Sequence, residues 1–228
     1  MELIAHDRLK TASARRGFSS VAGCARDRQA STAAYYEVFG EEYAAQTMRI
    51  DVSDHIARFA GMLVPGARVL DAGCGAGRDL VALALAGLDP VGLDNSARLV
   101  RIAERTSGLS VALGDLRAPP YEVASFDGIW AMASLLHLER DETTAALRTL
   151  GELLVPGGLL FASVKRGVGQ TRDNEGRWFT LHDEQGWDRH LREAGFELLE
   201  VTGEPPSDHG AIGIVSPGWI SSLSRRPI

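Results

Sequence analysis

The feature that most constrains this chain is the run VLDAGCGAGRD at residues 69–79, where two apolar residues and an aspartate, Asp71, are followed by glycines at alternate positions, Gly73, Gly75 and Gly77. An apolar run, a glycine-rich turn and then an apolar-periodic segment read as strand, tight turn and helix. Without a Cβ the backbone can reverse sharply, and a ligand can approach the main chain within contact distance. The helix beyond the turn offers free N–H groups and the positive end of its dipole.

The same wiring serves a dinucleotide or another adenosine ligand, and two residues separate the readings. A nicotinamide or flavin site places glycine at the last position of G-x-G-x-x-G, which lets helix and strand pack closely. Counted from Gly73, that position is Arg78. Asp71 is the second contrary residue, because a carboxylate at the strand end would oppose a pyrophosphate at a cost of about a few kcal/mol in a half-buried site. A cationic ligand removes the conflict. The stretch resembles the first motif of the class I S-adenosylmethionine-dependent methyltransferases, an apolar strand followed by (D/E)-x-G-x-G-x-G, and VLDAGCGAG matches each defined position. The cofactor of that family carries a sulfonium and an ammonium and no phosphate; its product is S-adenosyl-L-homocysteine.

The resemblance implies an α/β fold: a Rossmann-like, doubly wound, seven-stranded sheet, mostly parallel with an antiparallel last strand and helices on both faces. It covers residues 35–226. With 228 residues, 45% of them hydrophobic and 24% charged, the chain has enough apolar surface for one full core. Residues 32–228 are expected to form a single domain, with a helical lid over 32–64 and the core over 65–228. Residues 1–31 are basic and lack a steady apolar period, so they read as a flexible extension. A transit peptide fits that composition as well, whereas a secretory signal lacks its apolar run. No run approaches the roughly 18 apolar residues of a membrane span. The formal charge of −6 argues against a broad phosphate-binding surface, and two cysteines are too few for a disulfide framework. A reducing cytoplasm is the expected setting, with no membrane and no DNA as partners, for a monomer or homodimer acting on a small-molecule acceptor.

Along the chain, Tyr35, Tyr36, Phe39 and Tyr43 recur at helical steps. They read either as core or, by resemblance, as a lid over the cofactor carrying Tyr35, Tyr43 and Thr47. A second strand ends at Asp94, about twenty residues beyond the glycine turn, where a carboxylate in this topology accepts ribose hydroxyls. Asn95 and Ser96 follow as helix caps. By resemblance, Asp115 with the Leu116 N–H meets the adenine edge, Asp71, Gly73, Cys74, Gly75 and Arg78 surround the methionine end, and Ala131 borders the methyl group at the end of the fourth strand. AMASLLHL, at residues 131–138, lacks the Pro-Pro-aromatic run of amino-directed DNA methyltransferases. Ser134 and Tyr36 are acceptor-pocket candidates there.

Lys165, Arg166, Arg172 and Arg177 gather beyond the fifth strand, with Trp178 and Phe179 at the end of the segment. They read as a solvated loop, with Asp173 and Glu175 interleaved, or as a small-anion pocket in which Lys165, Arg177 and Trp178 contact the acceptor. His137 is the first candidate for a general base, since histidine titrates near neutrality; packing at a helix start is the alternative. Tyr36 and His182 are weaker rivals. The six histidines show no metal-ligand spacing. Other acceptors (RNA or protein), a nicotinamide-dependent oxidoreductase and a cofactor-binding module without turnover stay open beside the small-molecule reading.

Overall fold

In the computed structural model, residues 21–204 and 218–228 are described, with side chains from residue 25 to 203 and from 218 onward. Seven strands form one sheet in the order β3-β2-β1-β4-β5-β9-β8. The first five run parallel: β1 (Arg68–Ala72), β2 (Asp89–Asp94), β3 (Val111–Leu113), β4 (Phe126–Met132) and β5 (Leu154–Lys165). β9 (Trp219–Arg225) is antiparallel to β5 and to β8 (Glu197–Glu204). Strand order reverses between β1 and β4, so the carboxyl ends of these two strands open a crevice at the switch point.

Local chemistry sets the helix boundaries. In α4 (Ala97–Ser107) the Ser96 hydroxyl accepts the Leu99 N–H, and Gly108 closes the helix at φ +70°. A capping box of Glu139 and Glu142 starts α5 (Arg140–Leu153), and Asp183 caps α6 (Glu184–Glu193). Leucines of α5 and Trp187 of α6 bury one face of the sheet. The other face packs α2 (Ser53–Ala60) and α3 (Arg78–Leu85) through Phe59, Leu83 and Trp130. Trp130 stacks on Phe161 at 4.0 Å, and its indole N–H reaches Asp79 at 2.8 Å. Truncating such an aromatic costs about 3–5 kcal/mol.

Two expectations need correction. α1 runs from Val21 to Thr47, so residues 21–31, expected within a flexible extension, are helical; residues 1–20 lie outside the described residues. The basic segment after β5 is not a loop. β6 (Gly169–Arg172) and β7 (Trp178–Leu181) form an antiparallel hairpin. Its turn is held by Asp173, which accepts the Glu175 and Arg177 N–H groups, and by Gly176 at φ +94°. Asp-Asn-Glu-Gly between β-forming residues was the sequence signal for it. The long connection expected before β9 falls almost wholly outside the described residues. Among the described residues, no helix is long and apolar enough to cross a membrane.

Candidate active site

The glycine turn at the end of β1 is fixed by close approach. Gly73 has φ +83°, and a Cβ there would lie 2.3 Å from the Cβ of Ser134. Only glycine lets the turn after β1 seat against the turn after β4. The N–H groups of Gly73 and Cys74 donate to the Leu93 carbonyl at 2.7 and 3.0 Å, which ties the turn to β2. Gly75 N–H donates to Asp94 Oδ2 at 2.9 Å, and Ser96 N–H donates to Asp94 Oδ1 at 2.9 Å. Burial pushes the Asp94 pKa up to about 6, against the lowering pull of the Ser96, Gly75 and Asn95 backbone bonds.

Beneath the turn, Asp71 is 2% exposed and its Oδ2 has no hydrogen-bond partner. Burial holds its carboxyl well above the usual range, and the Asp79 carboxylate adds to the effect while Arg78 opposes it. An unpartnered buried carboxylate is costly, and a cationic group beside it offsets the penalty. The residues present therefore fit a ligand with a positive end, as S-adenosylmethionine has, better than a pyrophosphate.

A cleft of about 810 Å³, including its open mouth, extends from this turn. α1 crosses it and lines it with Gln29, Thr32, Ala33, Tyr36 and Tyr43, a single stripe at helical spacing. Gly73, Gly75, Asp94, Asn95, Gly114, Asp115 and Leu116, beyond β1 to β3, line it on one side and Ala133, Ser134, His137 and Leu138, beyond β4, on the other, the two meeting where Gly73 abuts Ser134. α1 is tied at both edges. Arg28 pairs with Glu139 at 2.8 Å and Ser31 Oγ donates to the Gly176 carbonyl at 2.8 Å. On the far side, Ser96 Oγ donates to Glu37 at 2.7 Å. The helix is irregular at Phe39, with φ −107° and ψ 22°.

At the second end, His137 sits on a single 3₁₀ turn, Leu135–His137. Its Nδ1 lies 2.8 Å from the Trp178 carbonyl, and its Nε2 lies 2.9 Å from the Tyr36 hydroxyl. A carbonyl only accepts, so Nδ1 carries the proton and Nε2 accepts from Tyr36. Burial pushes the His137 pKa down to about 4, which leaves the ring neutral at neutral pH. Burial likewise holds the Tyr36 phenol well above its ordinary range. The turn leading to this histidine is strained: Ala133 has φ +54°, and its N–H donates to Ser163 Oγ at 3.0 Å. Ser134 Oγ is buried without a partner.

The sequence-predicted residues divide. Tyr43, Gly73, Gly75, Asp94, Asn95, Asp115 and Leu116 line the first end, and Tyr36, Ser134 and His137 the second. Asp115 is also clamped by Arg117, Nε to Oδ1 at 2.9 Å, which holds its carboxyl below the usual range. Others do not reach the cleft. Tyr35 is buried under the Arg177 guanidinium, 4.5 Å from its ring. The Thr47 hydroxyl turns back to the Tyr43 carbonyl. The Cys74 side chain packs with Leu80 and Ala103. Arg78 pairs with Asp79 at 2.5 Å, and Ala131 lies in the core, its expected place at the cleft taken by Ala133.

The anion pocket is also corrected. Arg177 is buried and paired with Asp173 at 2.6 Å and Glu175 at 3.1 Å. Lys165 lies over the Phe179 ring at 3.8 Å, and Trp178 contributes its backbone. None of the three lines the cleft. His182, the weaker base candidate, is fully buried away from the cleft with neither ring nitrogen partnered. Gln29, Thr32, Ala33, Leu99, Gly114, Arg117, Ala133 and Leu138 were missed. The α1 residues continue the Tyr36 and Tyr43 face backward by helical steps, a signal hidden by starting the helix at residue 32.

Sheet order, glycine turn and the acidic ends of β1 and β2 together point to one class, and the comparisons agree with it: the chain is similar to the class I S-adenosylmethionine-dependent methyltransferases. A family model described as a methyltransferase domain matches residues 69–158. Phosphoethanolamine N-methyltransferase 1 of Arabidopsis thaliana is 28% identical over 205 residues, covering 85% of this chain and 40% of that protein. A ubiquinone biosynthesis O-methyltransferase of Methylocella silvestris is 37% identical over 111 residues, 46% of this chain and 43% of the relative. The chain thus spans less than half the length of these curated relatives. The crystal structure of Burkholderia thailandensis 1,6-didemethyltoxoflavin-N1-methyltransferase, with bound 1,6-didemethyltoxoflavin and S-adenosylhomocysteine, shares the fold at a TM-score of 0.66 and 21% identity, covering 94% of this chain and 93% of that one.

Proposed function

We propose that this chain methylates a small-molecule acceptor at oxygen or nitrogen, and that the Tyr36–His137 pair takes the acceptor's proton. S-adenosylmethionine, when bound, supplies a methyl group already activated by the sulfonium charge. The glycine turn and Asp71 would hold its charged end, Asp94 and Asn95 the ribose, and Asp115 with Leu116 the adenine. What is left for the protein is alignment, exclusion of water and removal of a proton.

The observation that carries the reading is the bond from Tyr36 to Nε2 of a neutral histidine, in the same cleft as the glycine turn. A phenol facing the cleft with a basic nitrogen behind it can accept a proton from a hydroxyl or ammonium while passing its own to His137. Thr32, Ala33, Ser134 and Leu138 line the cleft with Tyr36 and His137, and Arg117, bonded to Gln29 of α1 and to Glu142, lines the same cleft. α1 across the cleft favours a small acceptor over a folded RNA or a protein surface. Arg78 and the orphaned Asp71 continue to weigh against a nicotinamide cofactor. We place the activity in the cytoplasm, the reducing setting that a chain with only two cysteines suggests.

The test is transfer of label from methyl-labelled S-adenosylmethionine across a panel of small phenols, alcohols and amines. Turnover of at least one, lost in His137→Ala, supports the reading. Tight cofactor binding with no transfer to any acceptor would favour a binding module.

A further inference from the structure

Among the described residues the sheet that holds β7 has only β6 as its second strand, and one residue of β7, Trp178, is held by two site residues. Its N–H donates to the Thr32 hydroxyl at 3.0 Å, and its carbonyl accepts from His137 Nδ1 at 2.8 Å. The Thr32 hydroxyl spends its single proton on the Arg28 carbonyl at 3.1 Å, so it meets Trp178 as an acceptor. Thr32 is buried, lines the cleft, and stands one helical turn before Tyr36. α1 therefore grips the imidazole at both nitrogens: at Nε2 through Tyr36, and at Nδ1 through Thr32 and the Trp178 backbone.

We propose that Thr32 is a positioning residue: by accepting the Trp178 N–H it holds the β7 edge where the Trp178 carbonyl fixes His137 in its Nδ1–H tautomer, so that seating α1 readies the base. Without that acceptor the edge N–H is left buried and unsatisfied, and the carbonyl beside it loses its fixed place. His137 then adopts the Nε2–H tautomer as well, in which the nitrogen facing Tyr36 donates and cannot take a proton. The charged and titratable groups around the ring are Tyr36 from α1, Lys165 from β5, and Asp173 and Arg177 from the hairpin. Lys165 and Arg177 oppose protonation of the ring while Asp173 favours it. Lys165, Arg177 and Asp173 do not select between the two neutral tautomers, which leaves that choice to the Trp178 carbonyl and the Tyr36 hydroxyl. The catalytic consequence rests on the proton-transfer reading above; the tautomer does not.

The experiment is long-range nitrogen–proton NMR of the full chain with labelled histidine, with the His137 signals assigned by their absence in His137→Gln. Thr32→Val keeps the shape and removes the acceptor; Thr32→Ser keeps the acceptor. Wild type and Thr32→Ser are expected to show the Nδ1–H tautomer alone, and Thr32→Val a mixture. With any acceptor found, Thr32→Val should lower kcat about tenfold, the equivalent of one hydrogen bond, with affinity for S-adenosylhomocysteine within about twofold of wild type. An unchanged Nδ1–H tautomer in Thr32→Val, or its absence in wild type, overturns the proposal. If Thr32→Val does not fold, Thr32→Ala carries the same comparison. A tautomer shift in a protein that methylates nothing would keep this inference and sink the reading of the function.

Discussion

At the glycine end of the cleft the polar contacts that shape the turn are local, whereas at the His137 end they join distant parts of the chain. The Gly75 N–H and the Asp94 carboxylate that accepts it are 19 residues apart. Tyr36 and His137 are separated by 101 residues, and Thr32 and Trp178 by 146. The first end is shaped by a strand–turn–helix unit that almost dictates its own backbone, and it presents carboxylates. The second is assembled only when α1, the turn after β4 and the β6–β7 hairpin have all docked, and it presents a neutral histidine and hydroxyls. In the function proposed above, one end recognises a cation with polar handles and the other moves a proton.

The largest expected effect falls on the glycine end. Gly73→Ala meets both a left-handed backbone and the 2.3 Å approach to Ser134. We predict a cost of about 3 kcal/mol or more, read by calorimetry as a hundredfold or greater loss of S-adenosylhomocysteine affinity. Unchanged affinity would mean that the Ser134 turn yields freely and that the two ends are not braced against each other. Next is His137→Ala, which should reduce turnover by about 10²- to 10⁴-fold while cofactor affinity stays within about twofold. A variant that lost affinity instead would erase the division of labour.

The pH dependence sharpens the contrast further. Protonation of Asp94 removes its charge and part of its accepting capacity, so cofactor affinity should weaken as pH falls through about 6, by roughly tenfold between pH 8 and pH 5. Asp94→Asn should flatten that profile. His137 stays neutral down to about pH 4, so turnover at saturating cofactor should show no histidine step near 6.5. The smallest effect belongs to neither end. His182 is buried behind the hairpin, its pKa pushed down to about 3 by burial, with Arg140 and His190 adding to the effect. The unfolded chain binds a proton there below about pH 6.5 and the folded chain does not, so stability drops as pH falls below that value, by at most about 1.4 kcal/mol per pH unit from this group. Denaturant titration of His182→Phe should show a shallower loss between pH 6.5 and 5 with cofactor affinity unaltered.

The local end was readable because its geometry is written in adjacent residues: alternate glycines, an acid before them and a second acid at the next strand end. The mostly parallel seven-stranded sheet followed from the family resemblance that this same stretch carries. At the other end, single residues were readable and their partners were not. His137 and Tyr36 stood out by chemistry, yet nothing in the sequence says that a phenol 101 residues away caps the imidazole. Tyr35 and Tyr36 are adjacent, and a helix sends them to different faces, one to Arg177 and one to the cleft. Arg177 read as a free cation because its partners, Asp173 and Glu175, looked like ordinary loop charges until the hairpin turn folded them back onto it. The strained Ala133 has no sequence signal, since its positive φ goes with a bond to Ser163 on another strand.

The most direct test of the account is a calorimetric titration of S-adenosylhomocysteine into the wild-type chain, Asp94→Ala and His137→Ala, all shown to be folded. The account predicts micromolar binding to wild type, loss of about tenfold or more in Asp94→Ala from the missing charged hydrogen-bond acceptor, and wild-type affinity in His137→Ala. Absence of binding to the folded wild type, or equal affinity for wild type and Asp94→Ala, would contradict it.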